Sequence, residues 1–114
     1  MRYIKEYKDI DGDYKIGDFV IIKTPSIYDE FVNFINNNVG VIISIKPIYS
    51  NHNGVYLNNN IDVMYLNVPV ILQGRFRKTI EGYVLYGISD YDIVNFSDKK
   101  EDLEDIIVSK KYNL

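Results

Sequence analysis

Three aspartates at alternate positions, Asp9, Asp11 and Asp13, form the first group in the chain with metal-ligating chemistry. An EF-hand calcium loop needs glycine at its sixth position and a bidentate glutamate at its twelfth. Counted from Asp9, those positions hold Tyr14 and Val20. The register fails, and the run reads as a solvated turn around Gly12. His52 is the single histidine and the chain has no cysteine. A two-histidine metal site, a thiolate site and an internal disulfide are thereby excluded. A Ser-His-Asp set can be drawn from Ser50 or Ser89 with His52 and Asp90, but no nucleophile elbow accompanies it. Ser50-Asn51-His52-Asn53-Gly54 has loop composition, so His52 reads as an exposed loop residue. Asp90 and Asp92 carry the chemistry for proton transfer. Two residues apart beside a turn, they read instead as charges that keep an edge strand soluble. The 7 glycines are dispersed, so no phosphate-cradling loop is present. The expectation is a non-enzyme, with no catalytic residue, no metal and no cofactor.

Two sets of residues suit binding. Arg75, Phe76, Arg77 and Lys78 form the one basic run with an aromatic inside it. Cations on phosphates beside a ring that stacks on a base are how single-stranded nucleic acid is held. Lys46, Lys99, Lys100, Lys110 and Lys111 extend that patch if the fold gathers them. The other set is tyrosine, present 11 times. Its large rigid face and terminal hydroxyl enrich it at interfaces. Tyr28, Tyr49, Tyr56 and Tyr91 fall at expected loops or strand ends and are the candidates for a protein partner or for self-association. A protein-binding or structural module is the first expectation; a nucleic-acid-binding domain is the alternative.

These residues need a frame to position them. Hydrophobic content of 46% over 114 residues is enough for one core and one domain, spanning 1–114. A first short strand is expected at about 3–7. Phe19 to Lys23 is rich in β-branched and aromatic residues and predicts a strand ended by Pro25. Ser26 followed by Asp29 and Glu30 resembles a helix start, and Ile27, Phe31, Phe34 and Ile35 recur at helical spacing over 26–36. Val39 to Lys46 predicts a strand with Val41, Ile43 and Ile45 on one face. Pro47 to Gly54 reads as a loop. Val55 to Leu57 and Ile61 to Leu66 read as a hairpin around Asn58-Asn59-Asn60. Further strands are expected at Val68 to Leu72, Tyr83 to Ile88 and Tyr91 to Phe96. Ser97 reads as the cap of a helix over about 98–111, with acidic residues early, lysines late, and Leu103, Ile106 and Ile107 as its apolar stripe. Phe19 to Ile22 and Val84 to Ile88 are apolar on both faces, so part of the sheet exterior must be covered.

The net charge of −3 gives no global field for nucleic acid. No apolar run reaches the ~20 residues of a membrane span, and Met1 to Lys8 lacks the apolar centre of a signal peptide. A cytoplasmic location, in a host cell or a virion, is expected. Abundant Ile, Asn, Lys and Tyr with no Ala and no Trp match AT-rich coding, as in certain bacteria, phages and large DNA viruses.

The segments Gly17-Asp18-Phe19-Val20-Ile21-Ile22 and Gly40-Val41-Ile42-Ile43-Ser44-Ile45 resemble the opening strands of SH3-like small barrels, in particular those with a KOW motif. The resemblance covers about a quarter of the chain. It implies a mostly-β (α+β) fold: a small antiparallel barrel over about 3–96, with a helical insertion at 26–36 and a C-terminal helix. In KOW domains the loop joining these strands is short, often basic, and touches RNA or protein. Here Thr24 to Asn38 contains Asp29 and Glu30 and no Lys or Arg, which weakens the nucleic-acid implication. The tail from Phe96 to Leu114 also resembles the ends of small proteins of AT-rich phages and viruses.

Overall fold

The computed structural model describes residues 14–24 and 29–112. The expected strand at 3–7, the Asp9–Asp13 turn, Pro25, the start of the first helix and Tyr28 lie outside the described residues.

A tight turn opens the described chain. The Asp18 N–H donates to the Lys15 carbonyl at 3.0 Å, with Gly17 at φ 98°. A type II turn requires positive φ at its third position, and glycine meets that without steric cost. Asp18 is buried, and its carboxylate accepts from the Lys15 backbone N–H and pairs with Lys15 Nζ at 3.1 Å. The turn delivers strand β1 (Phe19–Ile22), followed by helix α1 (Asp29–Asn36) and two long strands, β2 (Gly40–Tyr49) and β3 (Tyr56–Tyr65). A 3-10 helix (Val70–Arg75) leads into β4 (Arg77–Lys78) and β5 (Tyr83–Ser89). A second 3-10 turn (Asp90–Asp92), β6 (Ile93–Ser97) and helix α2 (Lys100–Tyr112) complete the chain.

The strands form one antiparallel sheet of six, ordered β4-β5-β3-β2-β1-β6. The fold is mostly β with a C-terminal helix, and its ladder is open, with β4 and β6 at the two edges.

β1 is buried on both faces, as its composition implies. Val20 and Ile22 join the main core with Phe31, Phe34 and Ile35 of α1, Ile42 of β2, and Ile61, Val63 and Tyr65 of β3. Ile21 points the other way, into a second cluster with Leu103 and Ile107 of α2, flanked by Phe19, Val39 and Ile106. Strand alternation produces this split, because successive side chains leave opposite faces. The stripe predicted for α2 is therefore the one that docks, on β1 and its neighbour β6. Ser97 holds the helix entry: its Oγ accepts from the Lys99 N–H at 3.0 Å and donates to Asp102 Oδ2 at 2.9 Å. β5 is covered on both faces only in part: Leu85 packs against the main core and Val84 is buried on the other side, but Tyr86, two residues on, is exposed.

Four local expectations are corrected. Val68 to Leu72 is not a strand; from Val70 the chain coils into the 3-10 helix after Pro69, whose missing N–H suits a helix start rather than a ladder. Asn58-Asn59-Asn60 is no turn but the interior of β3, and β2 runs on through Pro47 to Tyr49. The hairpin turn instead spans 50–55, where Ser50 N–H donates to Val55 O at 2.8 Å and Gly54 takes φ 70°. Asp90 to Asp92 form the 3-10 turn where the last strand was expected to begin. Finally, a bulge between Ile42 and Ser44 inverts the predicted faces of β2. Ile42 and Ile45 both face the core, opposite Val63 and Ile61, while Ile43 is 38% exposed. A bulge adds one unpaired residue, which lets positions three apart share a face.

Candidate functional site

The far end of the β2–β3 hairpin, beside the Asp90–Asp92 turn, gathers three of the tyrosines singled out by sequence. Tyr49 and Tyr56 are cross-strand partners with ring centroids 5.9 Å apart, packed edge to face. Tyr91 joins them from the 3-10 turn by donating its hydroxyl to the Leu57 carbonyl at 3.2 Å. Their exposures are 54%, 41% and 55%, respectively. Ile48 of β2, Leu57 of β3 and Val55 at the end of the hairpin turn, also exposed, are their neighbours in the chain.

Beneath the tyrosines sits a polar knot. Asp90 is fully buried, which corrects its expected role as a solvating charge. A buried carboxylate is costly unless hydrogen-bonded, and here Oδ2 accepts from the Asn59 N–H at 3.2 Å and from the Tyr14 hydroxyl at 3.3 Å. Asn59 Nδ2 donates in turn to the Tyr14 oxygen at 2.8 Å. Asp90 Oδ1 is buried without a hydrogen-bond partner. Burial pushes the Tyr14 phenol up to about 12, against the lowering influence of the Asn59 bond and with the negative charge of Asp90 adding to the rise. Partial desolvation and the Asp90 charge raise Tyr56 in the same direction. Ser89 Oγ holds the turn locally by accepting from the Tyr91 N–H at 3.1 Å, and ties it to β3 by accepting from Asn58 Nδ2 at 3.2 Å.

Sequence reasoning missed Tyr14 and Asn59. The three consecutive asparagines were the available signal, because a strand interior accepts asparagine poorly unless its amide has a partner.

The basic run is divided by the fold. Phe76, 9% exposed, is a core residue, edge-on to Phe31, Phe34 and Tyr65 at 5.8–6.0 Å. It has no open face for a base. The cations around it lie on other rings: Arg75 over Phe31 at 5.2 Å, Arg77 over the exposed Tyr86 at 5.7 Å, and Lys78 over Tyr83 at 4.8 Å. Lys99, Lys100, Lys110 and Lys111 belong to the segment packed on β1 and β6, the opposite end of the sheet order from β4. They do not extend the patch along the sheet. His52 is exposed in the hairpin turn, where its N–H donates to Ser50 Oγ.

Among the described residues, no three His, Asp or Glu side chains gather as a metal site, and no helix is long and apolar enough to cross a membrane. No protein-family model, curated protein or solved structure matches the chain.

Proposed function

We propose that this chain is a non-enzymatic binding module that engages a protein partner through the tyrosines of the β2–β3 hairpin end. The observation that carries the reading is the convergence of Tyr49, Tyr56 and Tyr91, from two strands and a turn, over the pinned Asp90. Aromatic side chains with exposed faces and few rotatable bonds give large contact area at low entropic cost, and interface energy concentrates in such anchors. The SH3-like barrel is part of this reading. It rests on the two glycine-led strands, which lie side by side as β1 and β2, and on the bulge that bends β2. A phage or viral accessory protein fits the AT-rich residue usage.

The test is affinity purification from the native host or virion, run in parallel with Tyr49→Ala and Tyr56→Ala. A protein recovered by the parent chain and lost by both variants supports the reading. Recovery of nucleic acid alone, or the same proteins from all three chains, overturns it.

A nucleic-acid-binding reading is favoured by one contact, Arg77 over the exposed ring of Tyr86, with Lys78 on Tyr83 beside it. Tyr86 then supplies the stacking face that Phe76 does not. This reading requires single-strand binding that falls steeply with salt and is lost in Arg75→Ala/Arg77→Ala. Absence of binding at low salt removes it.

A further inference from the structure

The carboxylate beneath the hairpin-end tyrosines has no counter-charge. Asp90 is fully buried, yet its Oδ1 has no hydrogen-bond partner. Oδ2 takes its bonds from neutral donors, the Asn59 N–H and the Tyr14 hydroxyl. Among the described residues no cation pairs with either oxygen. A buried carboxylate without a cation is costly, and an orphaned buried oxygen calls for an explanation.

Charge at this end of the sheet is one-sided. Residues 47–60 contain no Lys, Arg, Asp or Glu, and the Asp90–Asp92 turn adds two carboxylates. Lys46, three residues before Tyr49, is the nearest lysine along either strand of the hairpin. Elsewhere in the fold Arg75, Arg77 and Lys78 lie over the rings of Phe31, Tyr86 and Tyr83. Among the described residues no cation lies over Tyr49, Tyr56 or Tyr91, although all three are exposed. The Tyr56 hydroxyl feels the carboxylate: desolvation first, then the Asp90 charge, raises its phenol. A ring face attracts a cation through its quadrupole, and a buried charge is screened less than a surface one. The two attractions add just outside the patch.

We infer that the partner engaged by this patch presents a basic side chain, arginine or lysine, which rests on the rings of Tyr49, Tyr56 and Tyr91 above the Asp90 charge. This rests on the protein-partner reading and gives that partner its chemistry, a basic segment. The cation stays outside the fold: the rings hold it at the surface, and the carboxylate acts on it through space.

The experiment is an amide NMR titration of the full chain with N-acetyl-arginine amide and, separately, N-acetyl-citrulline amide, which has nearly the same shape and no charge. The arginine probe should give saturable shifts centred on Tyr49, Tyr56 and Tyr91 and bind about fivefold tighter than citrulline. Asp90→Asn should reduce that preference to about twofold or less. Tyr49→Leu, at an exposed position, keeps apolar area but removes a ring; it should reduce the preference likewise, and it keeps the test valid if Asp90→Asn does not fold. The inference is overturned by equal affinities for the two probes, by arginine shifts that bypass the three tyrosines, by a preference unchanged in either folded variant, or by no saturable shift with arginine. Equal affinities with both probes seated on the tyrosines leave the protein-partner reading standing, because that reading falls only with the purification experiment.

Discussion

The Asn59 backbone N–H and the Asp90 carboxylate, 3.2 Å apart, join the middle of the longest hairpin to a turn 31 residues later in the chain. Removal of the carboxylate leaves the Asn59 N–H and the Tyr14 hydroxyl without their acceptor. Asp90→Ala should therefore cost about 2–4 kcal/mol of stability, measured by urea denaturation. Asp90→Asn keeps one acceptor oxygen and should cost less. Equal losses for the two variants would show that the acceptor is not what matters.

Tyr14 makes the fold sensitive to alkali. Its phenol ionises at 10.0 in the unfolded chain and at about 12 in the folded one. The folded state thus holds the proton more tightly, and stability falls as pH rises between these values. The full contribution is present below about pH 10, and about 2–3 kcal/mol is lost by pH 12. Denaturation midpoints across that range should show the fall, and Tyr14→Phe should flatten it. Burial also raises Tyr65, so a residual slope in Tyr14→Phe is expected.

The two cores and their connections were unequally legible in the sequence. β1 was plain because Val20, Ile21 and Ile22 are all buried, and both local composition and tertiary burial favour a strand. The α2 stripe was plain for the same reason. The faces of β2 were not, since a single bulge at Ile43 reverses alternation without any compositional mark. The asparagines of β3 read as a turn because their partners, Tyr14, Asp90 and Ser89, are distant in sequence. Tyr49, Tyr56 and Tyr91 were identifiable as candidates by type; that they meet follows only from strand register. Phe76 misled because flanking cations suggest a surface, while three neighbouring rings hold it in the core.

Phe76 and its flanking cations should separate cleanly under mutation. Phe76→Ala should destabilise by about 3–5 kcal/mol. Arg75→Ala and Arg77→Ala remove exposed cation–ring contacts and should each cost about 1 kcal/mol or less. Thermal melts of the three variants check this, and a mild effect for Phe76→Ala would remove it from the core.

Gly40 and Gly87 should respond to alanine for different reasons. A Cβ at Gly40 would lie 2.3 Å from Val63 Cγ1 and 3.0 Å from the Tyr65 ring. Gly40→Ala must displace core atoms and should cost about 1–3 kcal/mol. A Cβ at Gly87 would meet only Asn60 Oδ1, at an ordinary 3.8 Å, but Gly87 sits at φ 76° in a bulge, where its N–H donates to Asp62 Oδ1 at 3.2 Å. Gly87→Ala should cost about 1 kcal/mol through the backbone alone. Gly87→Asn, which tolerates that conformation better, should recover part of the loss; no such recovery is expected for Gly40→Asn.

Tyr65→Phe should leave the protein as stable or more stable, by up to about 1 kcal/mol, because it deletes a hydroxyl that forms no bond. A clear loss of stability would mean that the hydroxyl is satisfied in solution.

The double burial of β1 has a consequence for how the molecule comes apart. Ile21 belongs to one cluster and Val20 and Ile22 to the other, on a strand of four residues. Undocking α2 strips one face of that strand; opening the main core strips the other. Neither event leaves β1 with enough covered surface to stay paired. The helix and the core therefore form one cooperative unit, and the amides of β1 should exchange with solvent only through global unfolding.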